Sequence, residues 1–269
     1  MEDALALVSQ GPPCASADRL CYAMLAQGKQ PLPPTLRLGQ SVYRHARTIK
    51  HDFFAATAFY DDAAGHRVVL KLGRTADFNG IPLRWLGRLL CQRELRFYRR
   101  LADLPNVPRL LGTVGDTGFV HAYAPGRPLG RNVKVPDGFF AALERLLAEV
   151  HRRDIAYVDA NKSPNLLIGD DNQPYLIDFQ ISWDLHDLGD NPLNRWWLRH
   201  LQREDRYHIL KHKRRLRPDE LSPAELAAGK RRSLLIRLHR MIFKPYFLVR
   251  RAIMKRLRES GRVLRETTA

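Results

Sequence analysis

The sequence predicts an α+β fold in which strands come first and longer helices follow. Three observations carry this. Across residues 41–74, apolar and aromatic runs are broken by Asp61-Asp62-Ala63-Ala64-Gly65, which reads as strand, strand, turn, strand. Residues 84–101 and 139–152 repeat apolar side chains at helical spacing. The stretch 157–183, YVDANKSPNLLIGDDNQPYLIDFQISW, sets two short apolar runs on either side of a polar turn. A hairpin there leaves Asp159 and Asp178 at the two ends of one small sheet.

The chain has 269 residues, 45% of them hydrophobic, enough for a sizeable core. Its formal net charge of +17 points to anionic partners. The charge is regional. Residues 195–269 hold 22 Lys and Arg against 7 Asp and Glu, while the first 194 hold 23 against 21. Cys14, Cys21 and Cys91 form neither an even disulfide set nor a metal-ligand spacing, which favours a reducing compartment. The first residues lack a signal-peptide pattern, and no stretch reaches the ~18 apolar residues of a membrane span. A cytoplasmic protein is expected.

Taken in order, residues 1–40 are expected to form an extension punctuated by prolines, with a short helix at 18–25. The strand Val68-Val69-Leu70-Lys71 places one lysine among apolar neighbours. Taken alone it reads as an exposed strand-face lysine. Helix 84–101 carries Leu86, Leu89, Leu90, Phe97 and Leu101 as its apolar stripe, and Glu94 as its one acid among six arginines. Glu94 reads either as half of an intrahelical pair or as a partner for Lys71. Residues 109–126 read as a hairpin turning at 115–118. In helix 139–152, Phe140, Leu143, Leu146, Leu147 and Val150 make a core stripe, and His151 reads as a C-terminal cap.

The order Lys71, Glu94, Asp159, Asn165, Asp178 resembles the protein-kinase superfamily: strand Lys, helix Glu, catalytic-loop Asp and Asn, and the Asp of D-F-G. The resemblance spans residues 41–185. It is closest to the short bacterial lipopolysaccharide-kinase and RIO-like branch, since no A-P-E follows Asp178. It implies a two-lobed protein-kinase-like fold, with a small antiparallel β-sheet N-lobe and a short, mostly helical C-lobe. The implied division is 1–40 extension, 41–125 N-lobe, 126–216 C-lobe with the catalytic loop and metal-binding hairpin, and 217–269 basic amphipathic segment. It also implies ATP and Mg²⁺. Lys71 would hold phosphate oxygens and Glu94 would orient it, while the backbone of Ala122, Tyr123 and Ala124 would face adenine. Asp159 would orient the attacking hydroxyl, Lys162 would sit beside the transferring phosphate, and Asn165 and Asp178 would ligate the metal. The acceptor implied is a Ser/Thr protein or a sugar of a lipopolysaccharide-type glycolipid.

The sequence also departs from that pattern. Five residues, not four, separate Asp159 from Asn165, Tyr157-Val158 replaces His-Arg, and Gln180 replaces the glycine of D-F-G. Losing that glycine limits positive-φ conformations there. No glycine lies between Ser41 and Phe59, so the glycine-rich phosphate loop is absent, and Arg47, Thr48 or Lys50 are its candidate substitutes. These departures support a second reading, a pseudokinase-like module without turnover.

Trp196 and Trp197 are expected to pack onto the C-lobe. Beyond them, Arg237, Arg240, Lys244, Arg251, Lys255 and Arg258 share one helical face within 231–258. That segment reads either as a core-packing helix or as one lying on an anionic membrane, which would place the protein at the inner membrane face. The run KHKRRLR (211–217) lacks interleaved aromatic platforms, so nucleic acid ranks below a membrane as partner.

Overall fold

The computed structural model describes residues 22–228 apart from Arg131. The amphipathic segment 231–258, the first half of the short helix at 18–25, and Cys14 and Cys21 lie outside the described residues.

The N-terminal half builds one six-stranded antiparallel sheet, in the order β1-β2-β3-β4-β6-β5. Its strands are β1 (Thr35–Leu38), β2 (Ser41–His51), β3 (Ala55–Asp61), β4 (Arg67–Gly73), β5 (Leu110–Val114) and β6 (Gly118–Ala122). Helix α1 (Arg84–Arg100) crosses between β4 and β5 and packs on the sheet. The turns fall where the sequence places them, at 62–66 and around Gly115, whose φ of 59° suits a residue without Cβ.

Strand β2 is irregular in an informative way. Its pairing with β3 slips by one residue between His45 and Arg47, and again between Thr48 and Lys50. In a regular strand, residues three apart point to opposite faces. Here each bulge restores the face, so Arg44, Arg47 and Lys50 oppose Asp61, Phe59 and Thr57 in turn. The next strand continues these rows with Arg67, Val69 and Lys71. One face of the sheet therefore gathers the basic side chains of β2 around Lys71. The other buries Leu36, Ala58, Tyr60, Leu70 and Val120 in a small core of its own.

Residues 22–34 dock against the β2–β3 turn. Ala26 donates its N–H to the Asp52 carbonyl (2.8 Å), and the Tyr60 hydroxyl donates to the Pro33 carbonyl (2.7 Å). Arg74 fastens this layer. It is fully buried, stacks over the Phe53 ring at 4.1 Å, and donates to the carbonyls of Ala23 (2.7 Å), Phe53 (3.0 Å) and Asp77 (3.0 Å).

The second half contains β7 (Gly126–Pro128), α2 (Phe139–Arg152) and β8 (Ile155–Ala156). The hairpin β9 (Leu166–Gly169) and β10 (Pro174–Leu176) follows, then β11 (Trp183–Asp184) and a short helix α3 (Leu185–Leu188). Helix α4 (Pro192–Leu216) is the long element of this lobe, and α5 (Pro223–Ala228) ends the described chain. The five apolar side chains expected to form the α2 stripe are all buried. They join a core that also takes Leu95, Phe97 and Tyr98 from α1, Phe119 from β6, and Ile168, Leu176 and Phe179 from the hairpin region. The lobes thus share apolar packing as well as polar contacts. This arrangement, an antiparallel sheet with one helix followed by a mostly helical lobe, is the protein-kinase-like fold.

Two expectations about side-chain direction change. On α1 the buried side is Gly87, Cys91, Glu94, Leu95, Phe97 and Tyr98, while Leu89 points to solvent. The helix presents its acid inward because Lys71 is there to meet it. On α4, Trp196 and Trp197 do not pack onto the lobe; they are 51% and 39% exposed, because Leu198, Gln202, Asp205 and Ile209 form the inward face. Among the described residues, no helix is long and apolar enough to cross a membrane.

Gly87 is the tightest point between α1 and the sheet. A Cβ there would fall 2.0 Å from the Arg74 carbonyl oxygen and 2.7 Å from its nitrogen, both backbone atoms. Gly87→Ala is expected to destabilise the protein by about 3 kcal/mol, by forcing α1 off the sheet. Urea unfolding of the variant against the parent measures this.

Candidate active site

Lys71 lies midway along β4, between Thr57 and Phe119 on the flanking strands. Its ammonium meets Glu94 Oε2 at 2.7 Å and Asp178 Oδ1 at 2.7 Å. Strand, helix and hairpin are thereby joined at one nitrogen. Burial would strip the charge from Lys71, but Asp178 and Glu94 outweigh it and hold the ammonium well above its ordinary pKa. Burial raises Glu94, with Lys71 pulling it back. Asp178 is drawn well below the ordinary carboxylate range, because Lys71 overcomes its burial. Neither an exposed strand lysine nor an intrahelical Glu94 pair survives this geometry.

The arginines of α1 have partners elsewhere. Arg93 donates to the Ser182 carbonyl (2.6 Å), Arg96 pairs with Asp187 (2.7 Å), and Arg100 pairs with Asp184 and donates to the Arg153 carbonyl (2.8 Å). The chain just after Asp178 therefore holds α1 in the position that delivers Glu94.

Asp178 itself takes φ 62°, a left-handed conformation that an aspartate tolerates better than most residues. The positive φ of this corner thus falls on the acid, two residues before Gln180. Phe179 follows it into the core, 5.3 Å from the rings of Tyr98 and Tyr157.

The catalytic loop brings Asp159, Lys162 and Asn165 together. Asp159 Oδ2 accepts from Lys162 Nζ and Asn165 Nδ2, each at 2.7 Å. Burial raises the Asp159 carboxyl above its ordinary value, and the Lys162 contact only partly offsets this. The extra residue in the loop is absorbed by the 3₁₀ turn Ser163–Asn165, which returns Asn165 to the start of β9.

What positions this loop is a residue that sequence reasoning missed. Asp205, on the inner face of α4, accepts from the backbone N–H of Tyr157 and of Val158, both at 2.8 Å. His151 Nε2 lies 3.1 Å from the same carboxylate. Val158 needs such an anchor, because its φ of 66° is a genuine outlier for a β-branched side chain. Gln202, one turn earlier, donates to the carbonyls of His151 (3.0 Å) and Ile155 (3.2 Å). Tyr157 carries the link onward, since its hydroxyl donates to the Ile177 carbonyl beside Asp178. A period-3.6 reading would place Asp205 with Leu198 and Ile209 on a buried face, a usable signal that an acid there holds backbone.

At the end of β6, the Ala122 N–H is given to the Arg109 carbonyl (2.8 Å), and its carbonyl accepts from His121 Nδ1 (2.8 Å). Tyr123 and Ala124 lie beyond the last rung of the sheet. Tyr123 packs edge-on against Phe59 of β3 at 5.3 Å.

The donor set suits Mg²⁺ in one specific way. Among the described residues, no group of three His, Cys, Asp or Glu side chains could hold a metal alone. Asp178, with Asn165 Oδ1 turned away from Asp159 by the Nδ2 bond, offers two hard oxygen donors. Mg²⁺ binds that way when nucleotide phosphates and water complete its octahedron.

The fold brings together the five residues that the protein-kinase resemblance singles out, Lys71, Glu94, Asp159, Asn165 and Asp178. No protein-family model matches this sequence, and no curated protein does. Solved structures with a similar fold include the Rio2 kinase ADP/Mg²⁺-phosphoaspartate complex from Chaetomium thermophilum. It is 19% identical, covers 69% of this chain and 60% of its own, and gives a TM-score of 0.49. The Rio2 kinase from the same organism is 20% identical, with coverages of 66% and 59% and a TM-score of 0.46. The BubR1 kinase domain is 18% identical, with coverages of 61% and 55% and a TM-score of 0.43. The chain thus spans less than two thirds of each of these proteins.

Two outcomes follow from the site. Asp205→Ala leaves two buried amides without an acceptor and is expected to cost about 3 kcal/mol. Hydrogen exchange at Tyr157 and Val158 should accelerate far more than in the sheet. His121, buried against Tyr98, is pulled down to about 4 by desolvation. Its folded pKa lies below the unfolded value, so its contribution is complete above pH 6.5 and lost as the pH falls toward 4. Glu94 gives the opposite slope, so the measure is a difference. His121→Gln should flatten the loss of urea midpoint between pH 6.5 and 4 relative to the parent.

Proposed function

We propose that this protein is an ATP- and Mg²⁺-dependent phosphotransferase that moves the γ-phosphate onto a hydroxyl acceptor. The single observation that carries the reading is the meeting of Lys71, Glu94 and Asp178 beside Asp159, from four separate parts of the chain. Burying three charges is a costly way to join these elements, and phosphoryl transfer needs charge held in place.

In this reading Lys71, braced by Glu94, leaves Asp178 to hold phosphate oxygens. Asp178 and Asn165 hold Mg²⁺, which supplies charge neutralisation on the phosphates when bound. The acceptor oxygen attacks the γ-phosphorus as the bond to the bridging oxygen breaks and ADP departs. The hydroxyl proton passes to Asp159, whose Oδ1 has no protein partner among the described residues, and whose raised pKa favours accepting it. Lys162, more than half exposed, stands beside the departing phosphoryl group. The acceptor is a Ser/Thr protein or a glycolipid sugar.

A second reading is a catalytically silent module that docks on an anionic surface. The exposed Trp196 and Trp197 beside Arg199 and Arg203 favour it, as they suit a membrane interface. On either reading we place the protein in the cytoplasm, at the inner membrane face.

The readings separate in a γ-labelled ATP assay with membrane lipids and soluble proteins as distinct acceptor pools. Asp178→Asn is expected to reduce transfer at least a hundredfold while the variant still folds, with a lowered unfolding midpoint because Lys71 loses one of its two compensating charges. Full activity in that variant removes the metal role of Asp178, and no transfer by the parent into either pool favours the silent module.

A further inference from the structure

The phosphate-loop position raises a question that the site leaves open. In a glycine-rich loop, bare backbone N–H groups approach the phosphates. Here the corresponding β2–β3 turn reads Lys50-His51-Asp52-Phe53-Phe54. Three backbone N–H groups at its tip are already engaged, those of Asp52, Phe54 and Ala55. Asp52 Oδ1 accepts from the N–H of Phe54 (2.9 Å) and of Ala55 (3.1 Å), and the Asp52 N–H donates to the Ala55 carbonyl (3.0 Å). A carboxylate of the chain itself fills the cradle that a phosphate would otherwise occupy. The turn is also clamped from behind by Ala26 and by Arg74. A loop built this way cannot fold its backbone over a nucleotide.

It can present a side chain. Of the three substitutes the sequence offers, Thr48 is excluded by register, since it opposes Ala58 on the far face of the sheet and bonds His45 (2.9 Å). Arg47 lies over the Phe59 ring, one row toward the end of β6. Lys50 opposes Thr57, and Thr57 opposes Lys71. Directly opposed residues share a face, so Lys50 and Lys71 project into the same cleft from strands two apart, about 10 Å between their Cα atoms. At rest the Lys50 ammonium pairs with Asp52 Oδ2 at 3.0 Å. When Lys50 leaves, the other oxygen of Asp52 keeps both turn amides.

We propose that Lys50 is a second phosphate-binding lysine, which swings from Asp52 onto the β- and γ-phosphate oxygens of a bound nucleoside triphosphate and replaces the missing glycine loop. The proposal rests on the phosphotransferase reading. Asp52 then has two tasks, shaping the turn and pairing with the Lys50 ammonium.

Calorimetric titration of the full-length protein with Mg·ATP and with adenosine tests it. Lys50→Gln should weaken Mg·ATP about tenfold and leave adenosine within twofold, since adenosine has no phosphates to lose. Asp52→Asn keeps an acceptor for the turn amides but releases Lys50, and should tighten Mg·ATP severalfold. Unchanged Mg·ATP affinity in Lys50→Gln overturns the lysine's role and leaves the phosphotransferase reading standing. Equal weakening of adenosine also overturns it, by showing that the substitution deforms the turn. A parent protein that binds no nucleotide overturns both.

Discussion

Everything else in this molecule is arranged around one buried ammonium. Lys71 cannot sit in the interior without compensation, because desolvating its charge costs several kcal/mol. Glu94 and Asp178 supply that compensation from two other elements. Strand β4, helix α1 and the β9–β10 hairpin are therefore fixed relative to one another by the requirement that this charge be satisfied. The arginines of α1 extend the same logic. Their pairs with Asp184 and Asp187, and the Arg93 bond to Ser182, hold the helix at the depth where Glu94 reaches the lysine. Because those partners directly follow Asp178, the arrangement needs no long activation segment to hold it.

A second anchor works from the opposite side. Asp205 fixes Tyr157 and Val158 from beneath, and the strained φ of Val158 aims the loop so that Asp159, Lys162 and Asn165 converge. Strain of this kind persists only where surrounding contacts over-determine it. Tyr157 connects the two anchors, since its N–H is held by Asp205 while its hydroxyl reaches the residue before Asp178. The β2–β3 turn belongs to the same pattern, its backbone held by the Asp52 carboxylate and by Arg74.

Much of this was legible in the sequence, for identifiable reasons. Turn chemistry placed the hairpins, and helical spacing placed α2 with its entire buried stripe. The order of five polar residues, Lys71, Glu94, Asp159, Asn165 and Asp178, anticipated the cluster that the fold assembles. What stayed hidden depended on contacts across the fold. The stripe on α1 misled because the helix turns Glu94 inward and leaves Leu89 in solvent, reversing the usual preference. Trp196 and Trp197 misled because large aromatics usually bury, whereas here a polar face, Gln202 and Asp205, takes the inner side of α4. The run Arg44, Arg47, Lys50 has a three-residue spacing that no regular strand would place on one face. Only two bulges, which no local signal announces, make it a single row.

The central claim is that the Lys71 ion triad is a phosphate site at rest. The most direct measurement is a crystal structure with Mg²⁺ and a non-hydrolysable ATP analogue at millimolar concentration. The expected result keeps the Lys71–Glu94 contact, opens the 2.7 Å contact from Lys71 to Asp178 Oδ1, and places phosphate oxygens on the freed ammonium with the metal on Asp178 and Asn165. An intact Lys71–Asp178 pair with the cleft empty, or the nucleotide bound elsewhere, would contradict it.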